Sequence, residues 1–367
     1  MKKSLLALAV LGAVAGFAQA QSAVVIYGTL DAGLSKFSNA KTNRPVTNSP
    51  PVTTTTLGAR DNNKLGFKGT EDLGNGLNAL FQLEMRYAPD TGLLEGNNTR
   101  PLFQGQSRVG LSGAFGMVRL GRGLTAFQET STQFEPWSGI PSAAGFQTDM
   151  AVAGYTSDPL SATGNSANRF ANAVFYNSPE MSGFQVNATV ATKEGSNGPA
   201  LIGRGTLTAP QFAAGANASA VPYSVSATFK QPMFALMAAY ERNAVQTKLW
   251  SVGATVTPIA DLKLLASYTR QDQSKTAFAA NDKTKAWVVG ANYTMGAGKF
   301  LAGYGQKNPD GEPKIQQASV GYEYSLSKRT YVYADLSQRK SANVTTLLNT
   351  ADTARTSFYG VGVHHNF

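Results

Sequence analysis

The sequence predicts an all-β chain: a 16-stranded antiparallel transmembrane β-barrel with short turns at one end and long loops at the other. Three observations lead there. Segments with a period of two recur along the 367 residues, the repeat of a strand whose two faces meet different surroundings. Their connections alternate between tight turns and longer polar stretches. The last eleven residues, Ser357 to Phe367, put Tyr359, Val361, Val363, His365 and Phe367 on one face. After Phe358 the other face is small or polar: Gly360, Gly362, His364 and Asn366.

The amino terminus reads differently. Lys2 and Lys3 precede an apolar run from Leu5 to Phe17, and Ala18-Gln-Ala20 offers a small-residue cleavage site. This is the layout of an export signal, so residues 1–20 are expected to be removed, leaving a barrel of residues 21–367. Export followed by an aromatic-tipped strand points to the outer membrane of a Gram-negative bacterium.

Composition narrows the alternatives. With no cysteine, disulfides, thiolate metal sites and a cysteine nucleophile are excluded, and no cofactor or metal site is expected. The net charge is +10, but the basic residues are scattered singly and form no nucleic-acid motif, so no nucleic-acid partner is expected. After residue 20 no stretch approaches the roughly 20 apolar residues of a membrane helix. The slightly negative mean hydropathy suits a barrel in which only alternate strand residues face lipid.

The sixteen alternating segments span 23–36, 60–70, 76–88, 104–113, 116–123, 169–178, 183–193, 222–231, 233–243, 247–257, 262–272, 284–294, 297–307, 314–324, 329–340 and 356–367. In 247–257, Trp250, Val252, Ala254 and Val256 oppose Ser251, Gly253, Thr255 and Thr257. In 76–88, Ala79, Phe81, Leu83, Met85 and Tyr87 oppose Asn78, Gln82, Glu84 and Arg86. Tight turns fall at Gly113–Gly116, Pro179–Ser182, Gln231-Pro232, Pro258–Asp261, Met295–Gly298 and Ser325–Lys328. Between them lie mostly longer connections, such as 37–59, 123–168, 194–221 and 341–355. Aromatics near strand ends, including Tyr27, Tyr87, Phe115, Tyr176, Tyr223, Tyr240, Tyr293, Tyr304, Phe358 and Tyr359, are expected to form interfacial girdles.

Strand parity assigns charges to the lumen. Lys64 and Lys68, Glu84 and Arg86, Arg108, Arg119, Arg122 and Arg169 all fall on the inward parity or at its loop end. The early wall is thus expected to be basic. The connection 123–168 has no Lys or Arg but contains Glu129, Glu135, Asp149 and Asp158. An acidic loop folded against a basic wall would set a field across a narrow, low-dielectric channel and bias it by charge sign. The expected constriction therefore has Lys64, Lys68, Arg86, Arg108, Arg119, Arg122 and Arg169 on its basic side. Glu84, Glu129, Glu135 and Asp149 supply the acidic side. Trp137 in the same loop is expected to anchor it to the wall.

Four stretches resemble the trimeric general porins of the beta-proteobacterial type, the group that includes the neisserial porins. They are Val25–Gly33, Lys64–Gly76, Phe115–Arg122, and Leu326–Thr330 with Tyr333. Position 64 has lysine where the family usually has arginine. The last strand has His364 and Asn366 where basic residues are usual. The resemblance implies a sixteen-stranded barrel, a homotrimer, and a third loop bent inward, with Lys64 and Arg169 at eyelet positions. It also implies that the terminal strand, through Tyr359, Val361, Val363 and Phe367, is read by the barrel-assembly machinery. The expected surroundings are outer-membrane lipid and lipopolysaccharide.

Passive diffusion of small hydrophilic solutes and ions, with mild anion preference, is the function these features imply. An enzyme is not expected. The usual general base is histidine, and parity sends the only two, His364 and His365, to opposite faces of one strand. A solute-specific channel, for a sugar or an anionic metabolite, and a surface-adhesive barrel stay open as alternatives.

Overall fold

The computed structural model describes residues 23–40, 54–95, 98, 100–159, 168–192, 199–206, 209–214, 220–275, 281–345 and 350–367. The expected export signal lies outside them. The first half of the barrel is β1 (Ala23–Ala40), β2 (Thr54–Gly58), β3 (Lys64–Gly74), β4 (Leu77–Arg86), β5 (Gln106–Gly113), β6 (Gly116–Leu124), β7 (Arg169–Asn177) and β8 (Phe184–Ala191). Next come β9 (Pro199–Thr206) and β10 (Ala209–Ala214), a hairpin paired only with itself. The second half is β11 (Tyr223–Lys230), β12 (Phe234–Arg242), β13 (Lys248–Ile259), β14 (Leu262–Asp272), β15 (Lys283–Met295), β16 (Gly298–Pro309), β17 (Ile315–Ser325), β18 (Thr330–Thr345) and β19 (Thr350–Asn366).

All barrel pairings are antiparallel between successive strands, with β8 joined to β11. The sheet closes where β1 pairs with β3 on one side and with β19 on the other. Because β2 and β3 together make one interrupted strand beside β1, the barrel has sixteen staves. Each expected segment corresponds to one. Closure leaves no unpaired edge, which a lipid core would penalise heavily.

Three features were not anticipated. The second stave is broken at residues 59–63, where Asp31 of β1 replaces ladder bonds by side-chain ones. Asp31 N donates to Asn63 Oδ1 at 2.6 Å, and Asn63 Nδ2 donates to Asp31 O at 3.0 Å. Both backbone groups of Asp31 stay satisfied at the gap. The other two are the β9–β10 hairpin and a one-turn helix, α1 (Ala126–Ser131), inside connections read as irregular.

The faces follow parity. Val109, Leu120, Val320 and Val361 are exposed on the outside, where lipid would cover them. Inward positions of the same strands are buried or polar. The girdle expectation needs two corrections. Tyr27 points into the lumen and donates to Glu84 Oε2 at 3.1 Å. Phe358 packs inside against the Trp137 cluster. Both sit near a strand end, but on the inward parity, and proximity to the end alone does not choose the face.

The carboxy-terminal residue seals the seam. Gly28 N donates to Phe367 O at 3.0 Å, and Phe367 N donates to Gly28 O at 3.2 Å. A Cβ on Gly28 would stand 2.4 Å from the Phe367 ring, so the ring lies in a place only glycine leaves free. Tyr359, Val361, Val363 and Phe367 are all outward and exposed, as their alternation predicts.

Candidate functional site

The described part of the connection after β6, residues 125–159, turns into the barrel. Thr125 starts the turn: its Oγ1 accepts from Gln128 N at 3.3 Å and donates to Glu241 Oε2 at 2.5 Å. A threonine N-cap of this kind satisfies donors that a short helix leaves open. Ala126 N then donates to Thr189 Oγ1 of β8, and Phe127 N to Ser224 Oγ of β11. Phe127 packs with Val152, Tyr155, Ala239 and Leu249. With this face of α1 on the wall, Glu129 is left to point the other way.

Beyond α1 the loop is seated on glycines. A Cβ on Gly290 of β15 would stand 2.1 Å from Pro136 Cγ, and one on Gly303 of β16 would stand 2.5 Å from the Phe146 ring. Gly305 faces Met150, Gly253 of β13 faces Phe134, and Gly321 of β17 faces Trp137. Trp137 is fully buried and donates from Nε1 to Asp335 Oδ1 of β18 at 3.2 Å. Ser142 Oγ donates to the other oxygen of Asp335 at 3.0 Å. The anchoring expected of Trp137 is thus present.

Opposite this wall stands the basic one. Arg108 Nη1 lies 2.8 Å from Glu129 Oε1 and Arg119 Nη2 lies 3.3 Å from its Oε2. Both guanidinium groups also lie over the Phe175 ring, at 5.2 and 5.9 Å. Arg122 is 3.9 Å from Asp158, and Arg86 is 3.9 Å from Glu84. Lys68 sits 5.1 Å over the Tyr27 ring. Lys68 is exposed and Lys64 half-buried, so open water lies against β3. Arg169 is only 1% exposed. Its Nε donates to Gly105 O at 2.5 Å and its Nη1 to Asn168 Oδ1 at 2.7 Å. It adds charge from behind the surface and ties β7 to the segment before β5.

The expected acidic residues divide. Glu129 reaches the basic wall, and Glu84 belongs to that wall itself. Glu135 does not face it: the carboxylate is fully buried and accepts from Trp137 N at 3.0 Å and Gly139 N at 2.5 Å. Burial pushes its carboxyl up to about 7, against the opposing pull of those backbone donors. Asp149 is also elsewhere, paired with Lys307 and Arg339 on the seated side. Burial raises its carboxyl, but these two cations outweigh that and hold it below the usual range. Lack of basic residues in a loop sets its charge, not which wall each carboxylate meets.

A second polar cluster was missed. Arg60, in the gap of the second stave, lies 2.5 Å from Glu323 and 3.2 Å from Asp335, with its guanidinium 4.7 Å over the Tyr333 ring. Tyr333 donates to Asp31 Oδ1 at 2.8 Å, and His364 Nδ1 lies 3.1 Å from Asp31 Oδ2. The cluster joins the barrel seam to Asp335, the residue that holds the loop tip. Its signal was present as Asp31, Arg60, Glu323 and Asp335, all on the inward parity of their strands, but alternation alone does not say that they meet at one place.

No group of three or more His, Cys, Asp or Glu among the described residues could hold a metal ion. The two histidines point to different partners, His364 to Asp31 and His365 to Thr330 Oγ1 at 2.8 Å.

The Gram-negative porin family matches residues 7–344 of this chain. Among curated proteins, outer membrane porin protein 32 of Delftia acidovorans is 31% identical, covering 95% of this chain and 92% of its own. The major outer membrane protein P.IB of Neisseria lactamica is 30% identical over the full length of both. Among solved structures, an anion-selective porin from Comamonas acidovorans superposes with a TM-score of 0.71, at 22% identity, over 95% of this chain and all of its own. At that identity the superposition speaks for the fold; the family and sequence matches go further. A sixteen-stave barrel with a polar interior and an inward loop is a passive outer-membrane channel and not an enzyme, and this chain belongs to the Gram-negative porin family.

Proposed function

We propose that the channel passes small anions in preference to cations, through an opening bounded by the basic wall of β3–β7 and the inward loop. The observation that carries this reading is the charge balance there. Lys64, Lys68, Arg86, Arg108, Arg119, Arg122 and Arg169 outnumber Glu84, Glu129 and Asp158, the carboxylates that pair with them. In a water-filled passage with low-dielectric walls, uncompensated positive charge lowers the barrier for anions. Glu129 moderates that field, since it meets two of the arginines. The anion selectivity named for the Comamonas acidovorans porin agrees with the reading.

The same reading includes a homotrimer, as the resemblance to trimeric porins implies, and contact with outer-membrane lipid and lipopolysaccharide. The outward aromatic end of β19 serves as the mark for the barrel-assembly machinery, and residues 1–20 direct export. Purified protein in a planar bilayer under a KCl gradient tests the proposal. A reversal potential of chloride sign, with channels closing in three levels, is expected. A potassium sign would put Glu129 in control and overturn the anion reading. No conductance from a folded barrel would overturn the open channel.

A further inference from the structure

Five glycines of the inner wall, Gly253, Gly290, Gly303, Gly305 and Gly321, each face a side chain of the loop. Three others at the seam do not. Gly33 of β1 pairs with Gly58 of β2, and Gly360 of β19 pairs with Ser35, two residues further along β1. The nearest neighbour of a Cβ at Gly33 would be Val361 O, and at Gly360 the Phe358 ring, both parts of the barrel itself. A Cβ at Gly58 would meet nothing within 4 Å. The wall is thinned here, yet open space remains between it and the loop.

That space is a cavity of about 220 Å³, bounded by the seam glycines and by Pro141, Ser142 and Ala143 of the loop. Phe37 and Phe358 line it with ring centroids 5.0 Å apart, and Tyr333 adds a third ring. Bare backbone and aromatic walls suit a planar apolar group. Two polar side chains also line it, Asp335 and Arg60. Asp335 already accepts from Trp137 and Ser142. Arg60 is different. Its Nη2 donates to Glu323 and its Nε faces Asp335 at 3.2 Å, but Nη1 is buried with no hydrogen-bond partner among the described residues. An N–H kept from water without an acceptor is costly, and an acceptor brought into the cavity removes that cost.

The surroundings decide the chemistry of that acceptor. Glu323 and Asp335 stand against Arg60, and Asp31 joins the same cluster through Tyr333. The nearby Lys299 is itself engaged by Glu323 at 3.3 Å. A further carboxylate would add to these negative charges around one guanidinium and be repelled. A neutral oxygen would not. A second, more polar cavity of about 340 Å³ shares Ala59, Arg60 and Pro141 with the first and continues to Asp61, Asn62 and Asn63. Arg60 thus stands where an apolar space meets a polar one, which orients a ligand that has one end of each kind.

We propose that the cavity is a site for a small neutral aromatic compound bearing one hydrogen-bond acceptor. Its ring lies against Phe37, Phe358 and the seam glycines, and its acceptor receives Arg60 Nη1. Held there, the compound braces Pro141, Ser142 and Ala143 against the seam and steadies the loop. The site makes no use of the basic wall, so it goes beyond the diffusion reading, and the two can fail separately.

The test titrates purified full-length protein in detergent micelles with benzamide, benzoate and cyclohexanecarboxamide, read by ligand-observed NMR against protein-free micelles. Benzamide should bind most tightly of the three. Gly58→Phe puts a ring into the cavity where the backbone leaves room for one, and benzamide binding should be lost. Arg60→Lys keeps a positive charge for Glu323 and Asp335 but removes Nη1, and should weaken benzamide binding about tenfold. Undiminished benzamide binding to a Gly58→Phe protein that retains wild-type conductance would overturn the site. Tighter binding of benzoate than of benzamide would overturn the neutral acceptor, and equal binding of cyclohexanecarboxamide would overturn the aromatic requirement. If Gly58→Phe fails to fold, the smaller change Gly58→Leu is measured in the same way and should weaken benzamide binding severalfold, with unchanged affinity again overturning the site.

Discussion

The two inner walls of this barrel do opposite things with the same alternation of residues. On β13–β18 the inward positions include Gly253, Gly290, Gly303, Gly305 and Gly321, and the loop fills the space they leave with Phe134, Pro136, Phe146, Met150 and Trp137. On β3–β7 the inward positions carry long basic side chains, and the loop meets them mainly through Glu129 and Asp158. One wall is a packed core and the other is a charged surface. A loop can narrow a channel only if it is held on one side, and the glycine wall does the holding. Stability should therefore respond to changes on the seated wall, and ion selectivity to changes on the basic one.

The largest expected effect on stability comes from Trp137→Ala. It empties a fully buried site and leaves Asp335 without its indole donor, and truncations of this kind cost about 3–5 kcal/mol. Chemical unfolding in detergent should show the loss, and single-channel records should show added current noise from an unseated loop. An unchanged trace would place the anchor elsewhere.

Next is pH. Glu135 sits with its carboxyl pushed up from an ordinary 4.5 to about 7. A raised carboxyl value means that the folded form prefers the proton. The stabilisation is fullest below about pH 4.5, declines as pH rises toward 7 and is absent above it. The span corresponds to roughly 3 kcal/mol. Glu135→Gln keeps an acceptor for the two backbone donors without the charge. The variant should lose this pH dependence and be the more stable protein at pH 8. Equal slopes for wild type and variant, measured by unfolding between pH 4 and pH 8, would remove Glu135 from the account.

Smaller still is Gly290→Leu, which drives a side chain into Pro136. Overpacking of this sort costs about 1–3 kcal/mol. Because the loop is displaced toward the basic wall, conductance should fall. The same substitution at Gly58, where a Cβ would meet nothing within 4 Å, serves as a control and should leave conductance unchanged.

The staves were legible because lipid outside and water inside impose a period of two with few exceptions. The seal at Phe367 and the inward side of Arg108 and Arg119 follow from that same period. The partners of the loop carboxylates were not legible. Glu129, Glu135 and Asp149 look alike in sequence, yet one meets the basic wall, one is turned onto its own backbone and one binds Lys307 and Arg339 on the far wall. Which they meet depends on where the loop is seated, and the seat is made by glycines whose meaning appears only once Pro136 and Phe146 lie on them. The role of Arg60 was hidden for a related reason: alternation sends it inward with Lys64, but its partners Glu323 and Asp335 lie on strands far away in sequence.

The central claim is that uncompensated cations on the open wall set the channel's preference. It is tested most directly by the reversal potential of Lys64→Gln/Lys68→Gln against wild type, in the same bilayer and KCl gradient. Lys68 is exposed and Lys64 half-buried, and neither side chain takes part in the loop's anchoring. A chloride bias in the wild type that shrinks toward zero in the double variant, with unfolding unchanged, is the predicted result. An equal chloride bias in both proteins would contradict it.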